Sequence, residues 1–166
     1  MTTNRFAGGA VLVAAALALV LQVMPSTAQE PITIEPLTPR SVFTEDVDLK
    51  LKVKEGHGPR TVVSNDKDPS RTFTARITLE PGAMFPWHSH PGPVIVNVAA
   101  GELTYQGLEK CTEIVYPAGT AFVDAGFGHV HTAWNSSDAA TVLVATFFSA
   151  PAEGDLLIPD EPHCGE

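Results

Sequence analysis

The sequence is short of basic residues. Lys and Arg total 10 against 19 Asp and Glu, which gives a formal net charge of −9 at pH 7. Nucleic-acid binding needs clustered Lys and Arg to neutralise phosphates, and the sequence has no such cluster. The same deficit argues against electrostatic docking on anionic lipid. The chain is therefore not expected to bind nucleic acid or a charged membrane surface.

Several patterns that indicate other classes of protein are also missing. No glycine-rich loop precedes a helical pattern, and no serine lies in a nucleophile motif, so nucleotide binding and acyl transfer have no support. Beyond residue 28, apolar residues do not recur with the 3.6-residue period of an amphipathic helix. Internal repeats and linkers are absent as well. These absences favour one all-β domain.

Strand-like patterns are what the sequence has instead. Apolar and polar residues alternate over residues 47–53 and 72–79, and further short apolar segments follow as far as residue 148. The 14 prolines and 13 glycines suit many short strands joined by turns. Ile32 and Ile34 are expected to pair at a sheet edge. We predict a sandwich or barrel, with an extended lead-in at 29–45, the main domain at 46–150 and a tail at 151–166.

The first 28 residues have the pattern of a secretory signal helix. Arg5 supplies positive charge, residues 6–23 are almost wholly apolar, and Pro25 interrupts them before the small residues of Ser26-Thr27-Ala28. Cleavage after Ala28 would send the protein out of the cytoplasm, to the exterior or the cell envelope, and leave it without a membrane segment. The alternative is an uncleaved anchor, for which this apolar run is at the short end.

The chain has two cysteines, Cys111 and Cys164. In an oxidising compartment such a pair is expected to form a disulfide, which would tie the C-terminal tail to the strand near Cys111. The alternatives are two unpaired thiols or two soft metal ligands.

Four histidines form the most informative pattern in the sequence. His88 and His90 follow a turn at Pro81-Gly82, and residues two apart in a strand point to the same face. About forty residues later, His129 and His131 lie in a second strand-like segment. Imidazoles grouped in this way are suitable ligands for a divalent metal such as Fe, Zn, Cu, Mn or Ni.

The spacing of these residues resembles the two motifs of the cupin family. The first motif is matched by Gly82, His88, His90 and Gly101, and the second by Gly128, His131 and Asn135. The resemblance covers about residues 79–135 and implies a double-stranded β-helix, the jelly-roll barrel of cupins. It also implies that His88, His90 and His131 are metal ligands. Cupins often pair through edge strands, so a homodimer is a further expectation.

The sequence departs from the cupin motifs at three positions. Val94 occupies the place of the first motif's Glu, Gly126 that of a Pro, and Thr120 that of a Gly, with residues 117–119 as a displaced version of that turn. Without the Glu, the site would be more positive by one charge, which favours an anionic ligand and weakens retention of hard Mn or Mg. His129 would replace the missing ligand if its strand is regular; otherwise it is a rim histidine.

Three functions remain open from the sequence. The first is an exported module in which a His-bound metal holds a small polar or anionic molecule. The second is a metal-dependent oxidoreductase of the dioxygenase kind, or an isomerase or lyase, for which Asp124 and Glu102 are the nearby acid–base candidates. The third is a metal-free structural or sensing cupin. If the metal is bound, its affinity should be lost as the pH falls through about 6, because imidazole binds only when neutral.

The aromatic residues near the histidines are expected to serve mainly in packing. Phe85 and Trp87 alternate with His88 and His90, so they should face the opposite side of that strand.

Overall fold

The structure is a computed structural model that describes residues 31–54, 61–66, 70–108, 111–161 and 164. These residues form thirteen strands and no helix, so none of the described chain is a helix able to cross a membrane. The predicted signal helix, His57 and His163 lie outside the described residues. The strands are β1 (Ile32–Pro36), β2 (Ser41–Val42), β3 (Leu49–Lys54), β4 (Thr61–Asp66), β5 (Arg71–Leu79), β6 (Met84–Ser89), β7 (Val94–Ala100), β8 (Glu102–Gly107), β9 (Glu113–Pro117), β10 (Ala121–Asp124), β11 (His131–Trp134), β12 (Thr141–Phe147) and β13 (Ile158–Pro159).

The first sheet contains the strands with the clearest alternation. Its order is β1-β5-β12-β7-β10, and β2 also pairs with β5. In β12, buried residues alternate with half-buried ones along the whole strand, as the two-residue repeat of a strand requires. The predicted edge pairing is confirmed, since Ile32 lies opposite Leu79 and Ile34 opposite Ile77.

The second sheet has the order β13-β6-β11-β8-β9, and all its pairings are antiparallel. From β5 to β12 the chain passes back and forth between the two sheets, as in a jelly roll. Side chains from both sheets fill the space between them, including Leu79 and Val98 from the first sheet and Leu103 from the second. The all-β prediction is confirmed for the described residues.

Two segments lie beside this pair of sheets. Strands β3 and β4 form a separate two-stranded sheet, in which Leu49 and Leu51 are half-buried and Lys50 and Lys52 are exposed. The C-terminal tail returns to the second sheet, where β13 pairs with the end of β6. The predicted disulfide is confirmed: Cys111 and Cys164 are bonded, with a Cα–Cα distance of 5.5 Å.

Candidate metal centre

The two histidine segments meet because their strands are neighbours. Strands β6 and β11 pair antiparallel, and His88 lies directly opposite His131. Beyond β6, the carbonyl of His90 accepts a hydrogen bond from the backbone N–H of Phe127 at 3.0 Å. This hydrogen bond holds the loop that precedes His131 against the end of the first histidine segment. The strand pairing and the hydrogen bond together bring imidazoles about forty residues apart in sequence into one place.

Gly126 makes this fastening possible. Its φ is +66°, a conformation that glycine adopts freely and that proline, with φ fixed near −65°, cannot adopt. A Cβ at this position would come within 2.1 Å of the carbonyl oxygen of Gly92. The replacement of the motif's Pro by Gly is thus explained by the path of the loop. The displaced turn is also present, with the N–H of Thr120 bonded to the carbonyl of Pro117 and Gly119 at φ +84°.

His88, His90 and His131 form one buried cluster. Their exposed fractions are 3%, 6% and 5%, and their potential ligand atoms all lie within 4.8 Å of one another. The ring centroids of His88 and His131 are 4.3 Å apart, and that of His90 lies 4.8 Å from the first and 5.2 Å from the second. Three imidazoles of one small site are brought together as the sequence predicted.

Each of the three rings has its Nδ1 beside an oxygen acceptor. Nδ1 of His88 lies 2.7 Å from the carbonyl of Pro86, and Nδ1 of His90 lies 2.7 Å from the carbonyl of Leu156. Nδ1 of His131 lies 3.3 Å from the carbonyl of His129, which accepts its hydrogen bond, and also 3.3 Å from the Asp124 carboxylate. A proton on each Nδ1 leaves the Nε2 lone pair free, which is the arrangement that metal-binding histidines show in proteins. The donor set therefore fits a divalent metal bound through three neutral imidazoles.

Burial keeps these imidazoles neutral. Desolvation lowers the pKa of His88 to about 4 and that of His131 to about 3, and it also lowers the pKa of His90. Protons therefore compete with a metal for these imidazoles only at a pH below the ordinary histidine pKa of about 6.5. We therefore expect metal loss at a lower pH than the value near 6 predicted from the sequence.

Asp124 provides a carboxylate beside the cluster. It is 1% exposed and ends β10, where its Cα pairs with that of Val94 in β7. Its Oδ2 accepts a hydrogen bond from Nδ1 of His129 at 2.7 Å, and its Oδ1 accepts one from the N–H of Gly126 at 2.9 Å. The negative charge missing at position 94 is thus supplied from the neighbouring strand.

The pKa of Asp124 reflects these contacts. Burial alone would raise it, but the hydrogen bond from His129 and the electrostatic effect of the neighbouring His131, His129 and His90 rings lower it to about 2. The carboxyl group is therefore ionised at neutral and mildly acidic pH. Glu102, the other acid–base candidate, lies at the start of β8 and does not line the cavity described below.

The structure places His129 beside Asp124. Strand β11 begins only at His131, and Gly128 has a φ of +81°, so the strand alternation does not extend back to His129. His129 forms a second potential ligand group with Asp124 and His131, separate from the three-histidine cluster. In the three-histidine arrangement its role is to orient Asp124, which in turn lies against His131.

A cavity of about 360 Å³ opens onto the three histidines. Phe85 lines this cavity, and its ring centroid is 5.8 Å from that of His88. The prediction that Phe85 faces the opposite side is wrong because two residues of β6, Pro86 and Trp87, lie opposite the single Thr132 of β11, a bulge that changes the alternation.

Part of the cavity wall comes from segments that the sequence did not indicate. Arg40 lines the cavity, and its guanidinium donates hydrogen bonds to the carbonyls of Pro151 and Gly154 at 2.7 and 2.6 Å. Leu156 and Leu157 of the tail line it as well. The tail has no regular apolar period, and Cys164 was the one signal in the sequence that this segment is fastened to the domain.

Asn135, the last residue of the second motif, has a structural role. Its amide group donates hydrogen bonds to the carbonyls of Leu79 and Ala139, and its Oδ1 accepts two from Ser137. The side chain is fully buried and holds the turn that follows β11. It does not line the cavity.

Comparison with known proteins identifies the domain. Residues 75–147 match the model of the Cupin domain family, so this segment is a cupin domain, and the resemblance predicted from the two motifs is confirmed. No curated protein matches the sequence.

Solved structures with similar folds include an oxalate oxidase in complex with the substrate analogue glycolate. It is 28% identical with a TM-score of 0.44, over 48% of this chain and 43% of that one. The cupin domain of an XRE family transcriptional regulator from Enterobacter cloacae is 18% identical with a TM-score of 0.48, over 74% and 99%. A predicted oxalate decarboxylase from Thermotoga maritima is 23% identical with a TM-score of 0.40, over 46% and 64%. The chain spans less than half the length of the oxalate oxidases it matches.

Proposed function

We propose that this protein is an exported cupin that binds one divalent transition metal and presents it to a small molecule. His88, His90 and His131 would hold the metal. The observation that carries the proposal is the set of three buried rings whose Nδ1 atoms each have an oxygen acceptor. Metal-binding histidines in proteins are held in this way, with the second ring nitrogen donating to a carbonyl or carboxylate.

The donor set favours particular metals. Three neutral imidazoles suit Zn, Fe, Cu or Ni better than Mg or Ca, which prefer oxygen ligands. Three protein ligands also leave coordination positions free for water or for a ligand in the cavity. A metal bound there would act as a Lewis acid toward an oxygen atom of that ligand. The chain's own groups supply the binding pocket, the orientation of the imidazoles and the exclusion of water.

Export has support from the disulfide. The bond between Cys111 and Cys164 is of the kind that forms and persists in oxidising compartments. This agrees with the signal-like pattern of residues 1–28. Mass spectrometry of the protein recovered from its native host would test the proposal: a chain beginning near residue 29 outside the cytoplasm is expected. A full-length cytoplasmic chain would contradict it.

Metal analysis of the purified protein tests the metal site. We expect about one equivalent of a transition metal per chain after reconstitution at neutral pH, and loss of that metal in His90→Ala. His57→Ala is the control and should retain it, because His57 lies outside both histidine motifs. Metal at background level in the folded wild-type protein would overturn the proposal and favour the metal-free structural or sensing role.

An enzyme with the same metal site is the second candidate function. It is favoured by Tyr105, which lines the cavity and whose hydroxyl lies 3.3 Å from the Asp124 carboxylate, so that a polar pair faces the same space as the histidines. Steady turnover of a ligand by the metal-loaded protein, reduced in Tyr105→Phe without loss of metal, would establish the enzyme. Stable binding of a ligand without turnover would contradict the enzyme and favour the binding function proposed first.

A further inference from the structure

We propose that the ligand of this site is a small amphipathic anion, with a carboxylate head that binds the metal and a hydrocarbon body. The inference rests on the proposed function, because the head group needs the metal. It narrows the small polar or anionic molecule expected from the sequence to an anion with a defined apolar part.

The apolar part follows from the cavity wall. Both sheets contribute hydrophobic side chains to it, among them Ile77, Val96, Leu103, Phe122, Leu143 and Phe147. Aromatic rings also flank the metal ligands: Phe147 lies 5.4 Å from His90 and Tyr105 lies 5.0 Å from His131, between ring centroids. The part of a bound ligand that extends away from the metal would therefore contact hydrophobic side chains on several sides.

Polar groups in the cavity are confined to two places. One is the metal centre itself, where Asp124 and the hydroxyl of Tyr105 lie beside His131. The other is the rim, where Arg40 and Asp155 line the cavity next to the tail. A ligand with hydroxyl groups along its length, such as a sugar, would lose their hydration without finding partners in the wall between these places.

The cavity volume limits the size of the ligand. A volume of about 360 Å³ lies at the lower end of the range for small-molecule sites. The tail is held across one side of this cavity, since Arg40 is bonded to two of its carbonyls and Leu156 to His90. A short hydrocarbon chain or a single ring fits such a space.

The head group follows from charge. Imidazoles bind a metal in their neutral form, so a divalent ion brings two positive charges against the one carboxylate of Asp124. In an apolar cavity this excess charge is best balanced by an anion bound directly to the metal. A carboxylate is the simplest such group with an oxygen ligand.

Binding of straight-chain carboxylates to the Co²⁺-loaded protein tests the inference, with the visible absorption of the cobalt as readout. Each buried methylene should tighten binding by about fourfold, which gives roughly 100-fold or more from acetate to hexanoate. Hexan-1-ol, with the same body and no charge, should bind more weakly than hexanoate. Equal affinity for acetate and hexanoate, or a preference for oxalate over hexanoate, would overturn the inference while leaving the metal site intact. A folded protein that binds neither Co²⁺ nor Zn²⁺ would instead overturn the proposed function.

A pair of variants on one strand locates the hydrocarbon body. Val96 and Val98 are both buried in β7, but only Val96 belongs to the cavity lining. Val96→Thr keeps the side-chain shape and adds a hydroxyl, so it should weaken hexanoate by about tenfold and acetate much less. Val98→Thr is the matched control and should leave the ratio of the two affinities unchanged. If both variants change this ratio equally, the body does not lie in this cavity.

Discussion

Asp124 is expected to control metal affinity without touching the metal. In Asp124→Asn, the amide oxygen can keep the hydrogen bond from the N–H of Gly126, which places the amide NH₂ where Oδ2 was. That NH₂ then faces Nδ1 of His129 and Nδ1 of His131, which lie 2.7 and 3.3 Å from Oδ2 in the wild-type protein. Donors meet donors, and the Nδ1–H tautomer that leaves Nε2 of His131 free loses the carboxylate beside it and keeps only the carbonyl of His129 as acceptor.

The size of the effect can be estimated from comparable sites. Loss of a group that orients a metal-binding histidine weakens metal binding by about 10- to 100-fold. The variant is also less stable, because the fall in the pKa of Asp124 from 3.8 to about 2 corresponds to about 2 kcal/mol in favour of the folded, ionised protein. The two effects are separable, since one depends on metal and the other is present without it.

Competition with a chromophoric chelator at pH 7 measures the Zn²⁺ affinity of both proteins. Asp155→Asn is the matched control, because Asp155 lines the same cavity but is exposed. It should bind Zn²⁺ like the wild type. If folded Asp124→Asn also binds Zn²⁺ with wild-type affinity, Asp124 does not orient His131 and the reasoning is refuted.

Three further predictions concern stability. The metal-free protein should lose stability as the pH falls from 6.5 to about 4, because histidines of the unfolded chain gain protons in this window while His88 of the folded protein stays neutral. The lowering of the His88 pKa from 6.5 to about 4 corresponds to about 3 kcal/mol. A urea unfolding midpoint that stays constant over this window would contradict the prediction. Replacing Cys111 and Cys164 by Ser removes a disulfide across 53 residues and should lower the free energy of unfolding by about 4 kcal/mol through chain entropy. Metal binding should also weaken, because the carbonyl of Leu156 in the tail positions His90. Unchanged thermal unfolding and unchanged Zn²⁺ affinity would show that the disulfide is dispensable. Gly126→Ala should lower the melting temperature more than Gly82→Ala. Both glycines have positive φ, but a Cβ at Gly126 would collide with the carbonyl of Gly92, whereas a Cβ at Gly82 meets open space. Equal losses in the two variants would exclude this collision as the cause.

Side-chain patterns predicted much of this structure. The two-residue alternation located the central strands, and the spacing of His88, His90 and His131 predicted their convergence. The first signal follows from the geometry of a regular strand, and the second from the resemblance to the cupin motifs. The edge pairing of Ile32 follows from the same alternation, whereas the disulfide was expected because the chain has two cysteines and a signal-like N-terminus.

Features that depend on irregular backbone were not predictable. The orientation of Phe85 follows from a bulge, which leaves no trace in the pattern of apolar residues. The partner of His90 is the backbone carbonyl of Leu156, and any residue supplies a carbonyl. The pairing of Asp124 with Val94 depends on the register of two strands, which the sequence alone does not fix.

X-ray absorption spectroscopy of the Zn²⁺-loaded protein tests the central claim most directly. It should show three imidazole nitrogens at about 2.0–2.1 Å from the zinc. In His131→Ala the number of imidazoles should fall to two. Zinc bound by fewer than three imidazoles in the wild-type protein, or by the same number in wild type and variant, would contradict a metal centre built on His88, His90 and His131.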